Sequence, residues 1–594
     1  LLDSTGLKRE PAFSPDGRKL AFVQVEYGKG QVSEVRVFDF GTRQAHTVGS
    51  GWGATWSPDG ERLVFVDESD RLVVVHLSDG RREELLTESG FGEIWSVQFS
   101  PDGQSLYFLA NGTTLYRLPL GGNGTPEPVT QLPQLWRAVV SPDGKQVALQ
   151  RNLMTIWVAS LGAEPVREQH LRQFSTEGGY SFAFSPDGSA LIYASGNRVW
   201  RHPLTGGERQ EIPIRLELPR PTPPPLLLRR VRVLDFAAGG FGGETSLFIE
   251  EGRIRWIGSE RGRELPQQII TVDAAGRFAI PGLFDMHVHG ARANQAAFLA
   301  YGVTSVRNTG GPLRRLNELV DRGEVTDDPI PRYFHSGDTF HGRIYGRGRI
   351  ATQDEARRYV QRWKELGVHF IKVYNQLSWP LQRAVAEEAR RQKLPVVGHG
   401  ANVQEITRSV TLGYAVLEHI SGRDRVYDDV LQLLAAAGTR WDPTLAVLGS
   451  VLLLRQEPER VADPKLRAFT SEGCIGVAQT ASLVEAMDTE VLRGFWVKLL
   501  TSIRAAHRRG IKLQAGTDVG TGWMCFDGLL LHWELEFFAQ AGLSPLEVLR
   551  IATEQAAEAV GAEDDLGTLE PGKLADLVLL DANPLEDIKN TQTL

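Results

Sequence analysis

The chain has 594 residues, a formal net charge of −8 and a pI near 6.0, which leaves no electrostatic footprint for nucleic acid. No apolar run approaches the roughly 18 residues that a membrane helix needs. Two cysteines, Cys474 and Cys525, are too few for a disulfide framework and lack the spacing of a zinc knuckle.

The first 205 residues repeat. Ser-Pro-Asp-Gly begins at Ser14, Ser57, Ser100, Ser141 and Ser185, at spacings of 43, 43, 41 and 44 residues. Each copy follows a short apolar run and precedes another, such as Leu20-Ala-Phe-Val23 or Leu63-Val-Phe-Val66. Ser, Pro and Gly at the first, second and fourth places suit a type I turn, so each unit reads as strand, tight turn, strand. Weaker strand signals follow, such as Val35-Arg-Val-Phe38 and Leu72-Val-Val-Val-His76. About four strands per unit of 40–45 residues predicts a β-propeller over 1–212. The repeats resemble the WD40-like blades of TolB-type propellers. No charged or aromatic stripe recurs in every copy, so the sequence names no propeller partner.

Residues 213–226 are proline-rich and read as a semi-rigid extended linker. Short strands separated by glycines come next: Val231-Arg-Val-Leu234, Ser246-Leu-Phe-Ile-Glu250 and Arg253-Ile-Arg-Trp-Ile-Gly258. A matching β segment lies near the far end, in Gly567-Thr-Leu-Glu-Pro-Gly-Lys-Leu-Ala-Asp-Leu-Val-Leu-Leu580. Two β pieces bracketing a large α/β region predict a small β-sandwich built from 227–282 and 560–594.

Between them, strand candidates at 283–289, 302–308, 332–338, 368–374, 394–399, 415–420, 439–445 and 511–518 alternate with amphipathic helices. Examples of the helices are Asp354–Trp363 and Leu381–Ala389. Eight such pairs predict a (β/α)8 TIM barrel over 283–559, with its active site at the C-terminal ends of the strands. Candidate ligands fall there. In Pro281-Gly-Leu-Phe-Asp-Met-His-Val-His-Gly290, His287 and His289 are two apart and share one face of the first strand. Lys372 lies on the fourth strand, His399 ends the fifth, His419 the sixth and Asp518 the eighth. Imidazole and carboxylate are the donors that zinc and similar ions take. Asp518 alone also suits a helix N-cap. Lys372 is costly inside a barrel unless neutralised or paired.

This order of residue types resembles the amidohydrolase superfamily over roughly 227–594, closest to its imidazolonepropionase-like and prolidase-like members. Gly302-Val-Thr-Ser-Val-Arg-Asn308 and Pro571-Gly-Lys-Leu-Ala-Asp576 also look like that group. The resemblance implies that His287, His289, Lys372, His399, His419 and Asp518 hold two divalent metal ions, zinc foremost. Lys372 would then be a carbamate bridging the pair; a neutral or salt-bridged lysine beside a single ion is the alternative. Mononuclear deaminases of the superfamily place a glutamate three residues after the fifth-strand histidine, and here that position is Asn402.

The expected enzyme is therefore a metal-dependent hydrolase of C–N bonds in a small peptide or cyclic amide, with metal-activated hydroxide as nucleophile and Asp518 as general base. A lactone, ester or cyclic-imide hydrolase, and a propeller-led binding protein with an inert barrel, are the alternatives. Arg307, His335, His341, Tyr374 and Trp441 are the candidate substrate contacts, Arg307 as a bidentate partner for a substrate carboxylate. The expected partner is a small-molecule or short-peptide substrate, with no nucleic acid and no membrane span. The chain begins at Leu1, close to the first repeat, and ends at Leu594, where the family usually adds a strand, so it is expected to be a fragment.

Overall fold

The computed structural model describes residues 7–26, 32–86, 91, 93–121, 124–133, 135–151, 155–175, 181–195, 198–214, 223–290, 293–325, 328–340, 350, 352–374, 376–400, 402–419, 425–480, 488–521 and 524–594. Two compact units divide the chain near residue 215.

Among the described residues the first unit is a β-propeller of five four-stranded antiparallel sheets, spanning 7–50, 52–85, 94–131, 135–175 and 182–212. In each, consecutive strands are neighbours, so the blade is a simple meander. Blade cores lie between sheets rather than within them. In the strand Arg62–Val66, Leu63 and Phe65 pack against Val23 and Val37 of the first sheet, while Val64 and Val66 pack against Phe99 and Phe108 of the third. Alternate residues of a strand point to opposite faces, so a strand covered on both sides reads as an unbroken apolar run.

The Ser-Pro-Asp-Gly copies close the first hairpin of every blade. In the third blade, Ser100 Oγ donates to Asp102 at 2.5 Å and accepts the Ser105 amide at 2.9 Å. The Ser100 amide pairs with the Ser105 carbonyl at 2.8 Å, and Gly103 takes the left-handed conformation at φ 68°. The repeat thus encodes a serine–aspartate clasp with glycine where a side chain would strain the turn.

In the second unit, the strand Leu226–Asp235 serves two groups of partners. Its first half pairs with Thr245–Glu250 and Ile270–Asp273, its second with Gly240–Phe241 and Phe278–Pro281, which in turn pairs with Leu577–Leu580. A bulge between Leu228 and Val231, with Arg230 at φ 54°, marks the change of partners. Leu228, Val231, Leu247, Ile254, Ala279 and Leu569 fill the core of this seven-stranded β region.

The barrel begins directly after it. Its strands are Leu283–Val288, Val303–Asn308, Arg332–His335, Ile371–Val373, Val396–His399, Val416–Glu418 and Arg440–Asp442, with the segment 513–519 as the eighth. Parallel pairing joins the first to third and the fourth to seventh strands. Hydrogen bonds from His369 to the His335 carbonyl and from Phe340 to the Lys372 carbonyl join the third and fourth. Bridges Trp441–Leu513 and Val288–Val519 close the ring. This is a TIM-barrel fold. The helix Gln353–Glu365 starts on a reciprocal cap, Thr352 Oγ1 accepting the Glu355 amide at 3.2 Å and Glu355 accepting that of Thr352 at 3.1 Å. Further helices, from Ala446–Gln456 to Thr489–Arg508, lie between the seventh and eighth strands. One of them, Glu472–Thr480, carries Cys474, which forms a disulfide with Cys525 just beyond the eighth strand. Among the described residues no helix is long and apolar enough to cross a membrane.

Candidate metal centre

Five strands bring the polar side chains together. On the first, Asp285, His287 and His289 share the inward face. Asp518 Oδ1 lies 3.2 Å from His289 Nε2 and 3.5 Å from His287 Nε2, and the three offer donor atoms all within 4.8 Å of one another. The His419 ring stands 4.7 Å from those of both His287 and His399. Room for the His287 backbone comes from Gly516, where a Cβ would fall 2.6 Å from His287 Cβ and 2.5 Å from Asp442 Oδ2.

Two of these residues enter through strained backbone. His419 and Asp518 have φ of 65° and 62°, the left-handed region that a Cβ disfavours. Simple alternation would send one of Glu418 and His419 outward. The left-handed turn at His419 lets Glu418 point into the barrel while His419 joins the other imidazoles.

In three of these histidines the other nitrogen is anchored. His287 Nδ1 lies 2.5 Å from Glu418 Oε2, His289 Nδ1 2.9 Å from the Gly310 carbonyl, and His419 Nδ1 2.7 Å from Thr444 Oγ1. Asp285 instead braces the eighth strand, accepting from the Thr517 hydroxyl at 2.7 Å and the Thr517 amide at 3.1 Å. Burial lifts the Asp285 carboxyl to about 7 in spite of those bonds. At Asp518 burial also acts upward, but the His289 hydrogen bond and the neighbouring imidazoles outweigh it and hold the carboxyl well below its usual range. Burial, with the Lys372 charge next in size, drives His287 and His399 far down from the ordinary imidazole value. These rings are therefore neutral, with lone pairs to offer.

Lys372 is 0 % exposed, and among the described residues its Nζ has no hydrogen-bond partner. Burial pulls its ammonium down to about 8, against the opposing pull of Glu418. His399 Nε2 is likewise buried without a hydrogen-bond partner among the described residues. An orphaned amine and an orphaned imidazole beside a His–His–Asp cluster fit a site for divalent metal, since buried polar atoms are otherwise paired. Donors of this kind suit zinc.

Three expected substrate contacts are corrected. Arg307 is 2 % exposed, and within the barrel wall its Nη2 donates to Glu418 Oε1 at 2.6 Å and Asp442 Oδ2 at 3.0 Å and its Nε to the Met286 carbonyl at 2.6 Å. It is enclosed among these partners instead of facing a substrate carboxylate. Trp441 is 0 % exposed and spends its indole N–H on the His419 carbonyl at 2.7 Å. His335, at 1 % exposure, is enclosed beside His369, and burial takes its pKa down to about 3. Tyr374 does reach the site, its ring 4.2 Å from that of His399. His341 lies outside the described residues.

Glu418 and Asp442 were missed from the sequence, as was the role of Asp285. For Asp285 the signal was present, because the spacing Asp285-x-His287-x-His289 puts all three on one face. Nothing local marks Glu418, which sits next to a stronger candidate.

The barrel thus carries, at its strand ends, a group of imidazoles and a carboxylate that could hold a metal ion. The Amidohydrolase family matches residues 278–593, more than half of the chain, and the TolB beta propeller domain matches residues 1–204. The chain belongs to the amidohydrolase family. Ochratoxinase of Aspergillus niger is 24 % identical over 415 residues, covering 58 % of this chain and 78 % of that one. Imidazolonepropionase of Sphingopyxis alaskensis is 24 % identical over 356 residues, 56 % of this chain and 85 % of the relative. Among solved structures, a prolidase-like protein of Bifidobacterium longum matches with a TM-score of 0.51 at 25 % identity, over 63 % of this chain and 92 % of the other.

Proposed function

We propose that the barrel hydrolyses amide C–N bonds of a small peptide or cyclic amide, using two divalent ions, zinc foremost. The convergence of His287, His289 and Asp518 beside the unpartnered Lys372 amine carries this reading. His287, His289, His399, His419, Asp518 and a carbamate of Lys372 would hold the ions. When bound, such ions polarise a carbonyl and lower the pKa of a water near neutrality.

Asp518 supplies the proton transfer. Its carboxyl is held low, so it is anionic at neutral pH and can take a proton at Oδ1, then pass it to the leaving nitrogen. That delivery matters because an amide anion is too basic to depart unaided. Lys372 is the group to carry the carbamate: burial favours its free amine, and an anion there would answer the cations. Asn402, at the position of the deaminase glutamate, caps the helix Val403–Thr411 by accepting the Glu405 amide at 3.0 Å. It offers no proton shuttle, which favours hydrolysis over deamination. Tyr374 remains the substrate contact.

Burial of Arg307 also supports a second reading. Without that receptor for a peptide carboxylate, a lactone or cyclic imide fits the site as well as a dipeptide does. Turnover measured on dipeptides against lactams and lactones separates the two. Elemental analysis finding no metal after refolding with zinc would overturn both.

A further inference from the structure

Beneath the candidate ligands lies a buried cluster of acidic and basic side chains that the proposed reaction does not use. Glu418 is 0 % exposed. Its Oε2 meets His287 Nδ1 at 2.5 Å, and its Oε1 accepts from Arg307 Nη2 at 2.6 Å. The same Nη2 reaches Asp442 Oδ2 at 3.0 Å, and Arg307 Nε donates to the Met286 carbonyl at 2.6 Å. One guanidinium thus ties together the first, second, sixth and seventh strands. His287, Glu418 and Asp442 also bring their donor atoms within 4.8 Å of one another, as a cation site would. Arg307 already sets its guanidinium against both acidic side chains.

We propose that Glu418, anchored by Arg307 and Asp442, is a positioning residue that fixes the tautomer and orientation of His287. A carboxylate can only accept, so it places the imidazole proton on Nδ1 and leaves the lone pair on Nε2. Nε2 is the atom that faces Asp518 at 3.5 Å. A carboxylate behind a metal-binding histidine orients the ring and raises its basicity, and losing it costs 10–100-fold in metal affinity. His289 and His419 are held instead by a neutral carbonyl and a hydroxyl, so His287 depends most on its partner. Arg307 keeps Glu418 in place and denies the Glu418–Asp442 pair to a stray cation. The inference rests on the reading of His287 as a metal ligand.

The test uses the full chain, stripped with a chelator and titrated with zinc alone against a chromogenic competitor, together with imidazole 15N spectra of the stripped protein. Wild type should show His287 protonated on Nδ1, its signal identified by its loss in His287→Asn. Glu418→Gln, whose amide can donate to Nδ1, should bind zinc about 10–100-fold more weakly while its circular dichroism is unchanged. Glu418→Asp should recover part of the loss, and Thr444→Val should cost less than Glu418→Gln. A folded Glu418→Gln with wild-type zinc affinity overturns the proposal, as does a wild-type His287 protonated on Nε2. If Glu418→Gln does not fold, the wild-type spectrum decides. Wild type that takes up no zinc sinks the metal reading instead, a result separate from the tautomer.

Discussion

The propeller turns and the barrel mouth solve opposite problems. Each Ser-Pro-Asp-Gly turn is complete within six residues, its bonds running from Ser100 to Asp102 and Ser105 or from Ser185 to Asp187 and Ala190. The barrel site draws His287, Lys372, His399, His419 and Asp518 from five strands across more than two hundred residues. A local device can be copied five times and read directly, and damage to it stays local. A site assembled across a barrel has parts that act as a unit, so one substitution reaches all of them.

The largest effect expected is at Lys372. Lys372→Ala should drop turnover to background and lose bound metal with it, from about two ions per chain to one or none. Short carboxylic acids should restore part of both by standing in for the carbamate. Metal content and rate measured on the same sample check this, and full metal with full rate would refute the carbamate. Asp518→Asn comes next. It keeps the volume but removes the base, so turnover should fall about 10²–10⁴-fold with the fold intact; an unchanged rate would reassign the general base.

The assembled site was only partly legible before the structure. Strand-end position marks His287, His289, Lys372, His399, His419 and Asp518 as candidate ligands because period and ligand chemistry coincide there. Arg307 was misread, since a basic residue on an inward strand face looks the same whether it meets a substrate or an internal carboxylate. Its partners Glu418 and Asp442 lie more than one hundred residues away, on strands across the barrel.

A smaller effect separates burial from binding at His335. Its folded pKa of about 3 lies below the unfolded value of 6.5, so its contribution is present above pH 6.5 and is lost as pH falls toward 3. Between pH 7 and pH 5 this amounts to about 2 kcal/mol. His335→Asn should remove that part of the slope in urea titrations of the barrel, and an identical slope would show that the ring is not confined. Smallest is Ser100→Ala. It strands the buried Ser105 amide and removes the clasp to Asp102, costing about 1–3 kcal/mol in the third blade. Amide hydrolysis should be unaffected; a loss of turnover would mean that the repeat is not a local device after all.

By itself the sequence determined the five repeats, their hairpin turns, the alternation of strands and helices, and the shared face of His287 and His289 on the first strand, because all of these depend on neighbours within one element. It also marked the ligand candidates, through residue type and place. Tertiary structure alone decided that Arg307 and Trp441 are enclosed, that Glu418 stands behind His287, and that Cys474 and Cys525 pair. The reason is range. Whether a polar group meets solvent, substrate or another buried charge depends on what lies across the barrel, and strand period says which way a side chain points but not what it finds there.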